Sequence, residues 1–250
     1  MEIENLIIRC QEKYSTSCRK SPFNVVEYRL NYLSNPEDKG LIDSLIAKAE
    51  DLASKVNPGA ANDSSHKRTN NRILANCIAG VVSEYFWKHY LNSDAEIVSE
   101  TEFNDAAKQI DLRVISNDKK IEVRSSFPRK GIEFAICHPQ YQFDILGPYS
   151  NSYKPGEIQK DYYVRTLFHL NNPIDIIDRI KQDNFSVYLT GGATWGMMVS
   201  NKFSKNKDLV PENDWFNIEA TTTYRVVPFS NAADCVSIKK AIIENLEVKY

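Results

Sequence analysis

No run of about 18 apolar residues occurs in the 250-residue sequence, so no segment is expected to span a membrane. The opening MEIENLIIRCQEK is acidic rather than basic and precedes no long apolar stretch, so no signal peptide is read there. Histidine is scarce, with 4 in the chain, and none are paired at metal-ligand spacing. The cysteines (Cys10, Cys18, Cys77, Cys137 and Cys235) are odd in number and form no CxxC. They are expected to be reduced thiols of a cytoplasmic protein, not a disulfide framework or a zinc site. Neither sign of charge dominates, with 31 Lys and Arg against 33 Asp and Glu. A histone-like polycation is thereby excluded, while a local basic cleft is not. Phosphate-cradling loops are missing too. TGGATWG offers a glycine pair after a strand but no GxxxxGK[ST] and no full GxGxxG, and no GxSxG occurs.

What is present is an ordinary globular composition, 42 % hydrophobic and 26 % charged, long enough to bury a sizeable core. Residues 1–57 read as a helical subdomain or extension, from IENLIIRCQEKY, FNVVEYRLNYL and, most clearly, DKGLIDSLIAKAEDLASKV. A Pro/Gly/Asn/Ser-rich loop at 57–71 leads into a helix, RILANCIAGVVSEYFWKHYL, with Thr69 or Asn70 placed to cap it. Strand patterns follow in AEIVSE, IDLRVI, KIEVRSS and IEFAIC, then an irregular stretch over 138–160. Strands and helices alternate to the end: DYYVRTLFHL, PIDIIDRIKQD, FSVYLT, a helix within 192–204, YRVVPF and AADCVSIKKAIIENLEV. This order predicts an α/β fold, a sheet with helices on its faces, with residues 58–250 forming the main core.

The stretch QIDLRVISNDKKIEVRSS places charge inside two strands. Asp111 and Arg113 share one face of the first, Glu122 and Arg124 one face of the second. A two-residue turn at Asn117-Asp118 would set Asp111 opposite Arg124 and Arg113 opposite Glu122, all four on one face. An odd-numbered loop would split the acids across the sheet. A solvated hairpin face with cross-strand ion pairs explains the pattern blandly. A metal explains it more sharply, since two neighbouring carboxylates resist joint ionisation unless a cation lies between them. On the preceding helix, Glu84 borders the apolar stripe Leu74, Cys77, Ile78, Val81, Tyr85. Gly80 precedes it by one turn, at a cost of about 1 kcal/mol relative to Ala unless something packs close.

Taken together, GxxxE (Gly80–Glu84), a strand with Asp111 and a strand with Glu122-Val123-Arg124 resemble the PD-(D/E)xK nuclease superfamily over roughly residues 70–190. The likeness is greatest to type II restriction endonucleases. It implies a restriction-endonuclease-like core, a mixed sheet flanked by helices. It also implies Mg²⁺-dependent hydrolysis of phosphodiester bonds in double-stranded DNA, with Mn²⁺ as a substitute. Asp111, Glu122 and the Val123 carbonyl would ligate the ion, and Glu84 would bind a second ion or orient its waters. Ile110 stands where the family has proline, and Arg124 where it has lysine. Arginine keeps its charge and cannot act as a base, so Arg124 would orient water or phosphate. Alternatively Lys88, Lys119 or Lys120 substitutes for the family lysine.

Phosphate contacts are expected from basic loops flanking this core. They are Lys67, Arg68 and Arg72 before the Glu84 helix, and Arg129 and Lys130 after the Glu122 strand, with Ser125 and Ser126 at that strand's end. A palindromic target would favour a homodimer. Two other readings stand beside this one: a DNA-binding protein with a degraded site, and a structure-specific repair or recombination nuclease.

Overall fold

The computed structural model describes residues 1–14, 22–56, 68–101, 110–150, 158–209 and 222–245. Its first half runs β1 (Glu2–Ile8), α1 (Cys10–Lys13), β2 (Phe23–Leu30), α2 (Pro36–Lys55), α3 (Asn70–Leu91), β3 (Val98–Glu100), β4 (Leu112–Val114) and β5 (Lys120–Ser126). The second half runs α4 (Ile132–Cys137), β6 (Asp144–Ser150), β7 (Tyr162–Leu167), α5 (Ile176–Arg179), β8 (Phe185–Thr194), α6 (Trp195–Val199), β9 (Lys205–Leu209), β10 (Thr222–Pro228) and α7 (Cys235–Glu244). The chain is α/β: a mixed sheet ordered β1-β2-β8-β7-β5-β4-β3, and a small sheet ordered β6-β10-β9. Within the large sheet β5 and β7 run parallel, and the other neighbouring pairs are antiparallel.

Each face of the large sheet buries a different set of side chains. One face carries Tyr28, Leu112, Val114, Ile121, Val123, Tyr162 and Val164 against α2, α3, α5 and α7. The other carries Phe23, Val25, Tyr163, Leu167 and Ala193 against α4, α6 and the small sheet. Alternation along β5 therefore sends Ile121 and Val123 toward the helices, and Glu122, Arg124 and Ser126 toward the second layer.

The N-terminal region is not helical as its spacing suggests. Only α2 of the three expected helices forms at full length; the other two segments are mainly β1 and β2, paired antiparallel from Glu2↔Arg29 to Ile8↔Phe23. β2 also pairs with β8, so these residues share the main sheet. Burial on both faces of β2, with Val25 and Val26 each buried, erases the two-residue period that marks a strand. IEFAIC errs in the opposite sense. It forms the short helix α4, burying Ile132, Ala135 and Ile136 at helical spacing, and starts at Gly131 with φ of 90°. Part of the expected irregular stretch is strand β6.

α3 is capped as expected, with Thr69 Oγ1 accepting from the Arg72 amide at 3.3 Å. The TGGATWG glycines serve packing: a Cβ on Gly192 would collide with the Tyr163 carbonyl oxygen of the neighbouring strand. Gly192 also exchanges two backbone hydrogen bonds of 2.9 Å with Ala233. Cys10 and Cys137 form a disulfide joining α1 to α4, with Cα atoms 5.0 Å apart. The expectation of reduced thiols thus fails for this pair and holds for the buried Cys77 and Cys235, while Cys18 lies outside the described residues. Among the described residues, no helix is long and apolar enough to cross a membrane.

Candidate active site

The β4–β5 hairpin brings the charged residues together, in a register two residues away from the expected one. Leu112 pairs with Ile121 and Arg113 with Lys120. The connecting loop is longer than a two-residue turn, closed by Val114 N donating to Lys119 O (2.8 Å) and Asp118 N to Val114 O (2.9 Å). Asp118 takes up the left-handed φ of 61° that lets the chain reverse. Carried one residue further, this register places Asp111 opposite Glu122 rather than Arg124. Arg113 lies opposite Lys120 rather than Glu122, and turns to Asp118 in an ion pair of 2.5 Å. Because the shift is even, Asp111, Arg113, Glu122 and Arg124 keep one common face.

Asp111 is buried, and its Oδ2 accepts from the Val123 amide at 2.7 Å, locking the carboxylate against β5. Burial pushes its carboxyl well above the ordinary range, and the charges of Glu122 and Glu84 push it further. Glu84, on α3, is partly exposed as a residue but has its carboxyl turned inward. Burial raises it from 4.5 to about 7, Lys48 opposing and Glu100 and Glu122 adding to the rise. Helix α3 and the hairpin thus set three carboxylates, Glu84, Asp111 and Glu122, in one electrostatic neighbourhood.

A lysine meets this cluster from an unexpected place. Lys160, only 3 % exposed, holds Glu122 Oε2 at 3.0 Å. Its position is fixed by its neighbour: Asp161 Oδ2 accepts from the Lys120 amide (2.8 Å), and the Asp161 amide donates to Lys120 O (2.9 Å). The lysines named from sequence go elsewhere. Lys88 pairs with Glu100 at 3.4 Å, and Lys119 lies over the Tyr162 ring at 5.4 Å. Lys120 sits at the hairpin position facing Arg113. Glu100 on β3 is a further acid that the sequence did not single out. Burial would raise it, but bonds and charge from Lys48, with Lys88, bring it below its ordinary value.

Arg124 Nη2 approaches the other oxygen of Glu122, Oε1, at 3.0 Å, and its guanidinium lies 5.5 Å from the Tyr149 ring centre. Across the parallel pair Arg124 is in register with Arg165, which is buried on the same face. Burial first, and then the Arg124 charge, lower Arg165 to about 9. Its Nη2 donates to Ser126 Oγ, while Nε and Nη1 are buried without hydrogen-bond partners. Ser126 therefore serves Arg165 in this arrangement, and Ser125 alternates toward the other face.

The donor set of carboxylate oxygens suits a hard divalent ion. Among the described residues, however, no group of three Asp, Glu, His or Cys side chains is gathered to hold one. At Glu122 the positive charge is supplied by Lys160 and Arg124.

The remaining expected residues are more scattered. Lys67 lies outside the described residues. Arg72 is twelve residues before Glu84, about 18 Å along α3, so it lies far from that carboxylate. Arg129 and Lys130 are exposed at the turn after β5. No close packing explains Gly80, since a Cβ there would meet nothing within 4 Å.

One curated relative is similar over most of its length. It is "Uncharacterized protein MJECS01" of Methanocaldococcus jannaschii, 28 % identical over 242 residues, covering 80 % of this chain and 81 % of that one. No family model matches the chain, and no solved structure matches it.

Proposed function

We propose that this chain is a Mg²⁺-dependent endonuclease of PD-(D/E)xK type that hydrolyses phosphodiester bonds of double-stranded DNA at a specific site, as type II restriction enzymes do. The observation that carries the reading is the buried ammonium of Lys160 against Glu122, on the hairpin that holds Asp111, with Glu84 of α3 near enough to act on both acids through its charge. Acids on a helix, at the start of one strand and on the adjoining strand, with a lysine against Glu122, suit hydrolysis of a phosphodiester. Lys160 would fill the role for which Arg124 is chemically ill-suited: a compact ammonium that can orient the attacking water or meet a phosphate oxygen. Asp111 and Glu122 would hold Mg²⁺, or Mn²⁺ in its place, with the Val123 carbonyl, and Glu84 would hold waters or a second ion. Bound there, the ion would lower the pKa of water and neutralise charge on the phosphate. In the reaction a water oxygen bonds to phosphorus as the bond to the leaving oxygen breaks. Arg124, which contacts Glu122 and the Tyr149 ring, would neutralise a neighbouring phosphate. A homodimer would present two such sites to the two strands of a palindrome.

A digest of supercoiled plasmid with Mg²⁺, run against EDTA, tests the reading. Discrete fragments support site-specific cleavage, and a smear or single nicks point to a structure-specific or non-specific nuclease. Asp111→Ala and Glu122→Ala are each expected to abolish cleavage while DNA binding persists. The engagement of both Glu122 oxygens by cations favours a second reading, a DNA-binding protein whose catalytic site no longer admits an ion. Binding with no cleavage by the wild-type chain would select it.

A further inference from the structure

The strand carrying Glu122 ends in a cavity of about 610 Å³ that the carboxylate chemistry does not use. Phe127, Phe134, Tyr141 and Phe143 line it, with Arg129 and Lys130 exposed at its rim. Its size lies within the range of small-molecule pockets. Its rings form part of a larger aromatic set: Phe134 lies 4.6 Å from His138, which lies 4.9 Å from Tyr141. Lys130 Nζ stands 5.0 Å from the centre of the Phe134 ring. The disulfide from Cys10 to Cys137 ties down α4, the helix that carries Phe134.

Apolar rings inside and cations at the mouth match a ligand with a flat, weakly polar body attached to a negative charge. A nucleobase on its sugar-phosphate has that form. The position agrees as well. Ser126, which lines the cavity, is four strand residues beyond Glu122, about 13 Å away. Along one DNA strand that distance is about four nucleotide steps of 3.4 Å. The rings cannot reach a base stacked inside a duplex, so the base must be single-stranded or swung out of the helix.

We infer that the cavity lined by Phe127, Phe134, Tyr141 and Phe143 holds one unstacked nucleobase of a nucleic-acid strand, with Arg129 and Lys130 on the adjoining phosphates. This goes beyond the proposed cleavage; it rests on DNA as the ligand and not on hydrolysis. Phe134 and Tyr141 supply the stacking surface, and the rim cations supply an attraction independent of base identity.

Fluorescence anisotropy in EDTA with two strands of equal length, oligothymidylate and its abasic counterpart, tests the inference. The two carry the same charge, so a difference in affinity reports the bases. The wild-type protein is expected to prefer oligothymidylate by about fivefold or more, the low end of one stacked base. Phe134→Leu and Tyr141→Ala are each expected to reduce that preference without changing abasic-strand affinity. Tyr141 is 64 % exposed, so its variant does not depend on repacking a core. Lys130→Gln is expected to weaken both strands equally. Equal wild-type affinities, a preference that survives both aromatic variants, or no binding of either strand would overturn the inference. A protein that never cuts plasmid yet prefers the base-bearing strand loses the nuclease reading alone. One that cuts and shows no preference loses the base pocket alone.

Discussion

Lys160 Nζ lies 3.0 Å from Glu122 Oε2 while Arg124 Nη2 lies 3.0 Å from Glu122 Oε1, so one carboxylate is held between two cations of different chemistry. The two cations can be tested apart. If Lys160 is the group that meets water or phosphate, Lys160→Ala should lower kcat by about 10²–10³, the effect of removing one preorganised donor. Arg124→Lys should retain measurable activity, because charge and reach survive while the planar fork is lost. Arg124→Ala, measured by cleavage and thermal melting together, decides its role. Full activity in a destabilised protein would make Arg124 a structural partner of Glu122. Full activity of Lys160→Ala would remove the lysine from the chemistry.

The inward carboxyl of Glu84 gives a pH dependence with a definite sign. Its value is raised from 4.5 to about 7, chiefly by burial, so between those limits the folded chain keeps a proton that the unfolded chain releases. Stability then falls as pH rises through about 4.5 to 7, and Asp111 is shifted in the same direction. In EDTA, Glu84→Gln should melt higher than wild type at pH 8 and about equally at pH 4. A lower melting temperature at pH 8 would show that the ionised carboxylate is stabilising. Added Mg²⁺ should raise the wild-type melting temperature more at pH 8 than at pH 5, since carboxylate ligands must be deprotonated to bind.

The nearness of the acids was legible in the sequence, as was Arg124, and the lysine against Glu122 was not. Asp111, Glu122 and Glu84 announce themselves as charge inside alternating strands or at the border of a helix stripe. The common hairpin face required an even-numbered loop, and it survived a wrong loop length because the shift was even. Lys160 lies at the end of a stretch that reads as irregular. It reaches Glu122 only because β7 pairs parallel with β5, with Ile121 beside Tyr162, a neighbour relation that no local pattern encodes. Arg165 was hidden for the same reason, its register with Arg124 being set by sheet order. The strands β1 and β2 were misread because helix-like apolar spacing and burial on both faces each mask a two-residue period. α4 failed the other way, six residues being too few for periodicity to separate helix from strand.

Gly80 is a position where stability and use of the surface can be separated. It sits within α3, one turn from Glu84, and a Cβ there would meet nothing within 4 Å. Gly80→Ala should therefore stabilise the protein by up to about 1 kcal/mol, the helix-propensity gain. Chemical denaturation measures this. A gain in stability with unchanged cleavage would mark Gly80 as a tolerated defect. A gain with lost cleavage would show that substrate approaches this turn closely, and a loss of stability would contradict the open space beside it.

The Cys10–Cys137 disulfide closes a loop of 127 residues and connects α1 to the helix that walls the aromatic cavity. Cross-linking restricts the unfolded chain more as the enclosed loop lengthens, and removing a native disulfide typically costs about 2–5 kcal/mol. Both cysteines are buried, so the bond lies within a packed cluster with Phe23, Ile136 and Phe229. Cys10→Ser and Cys137→Ser should each lower the denaturation midpoint by a similar amount, and the double variant should lose little more, because either change breaks the same bond. Reduction of the wild-type protein under unfolding conditions should bring it to the same midpoint. The aromatic cavity should loosen with the tether, so the single variants should also bind oligothymidylate more weakly while abasic-strand affinity stays level. Equal midpoints for oxidised wild type, reduced wild type and both variants would mean that the two cysteines act as packed thiols and that α4 is held by its apolar contacts alone.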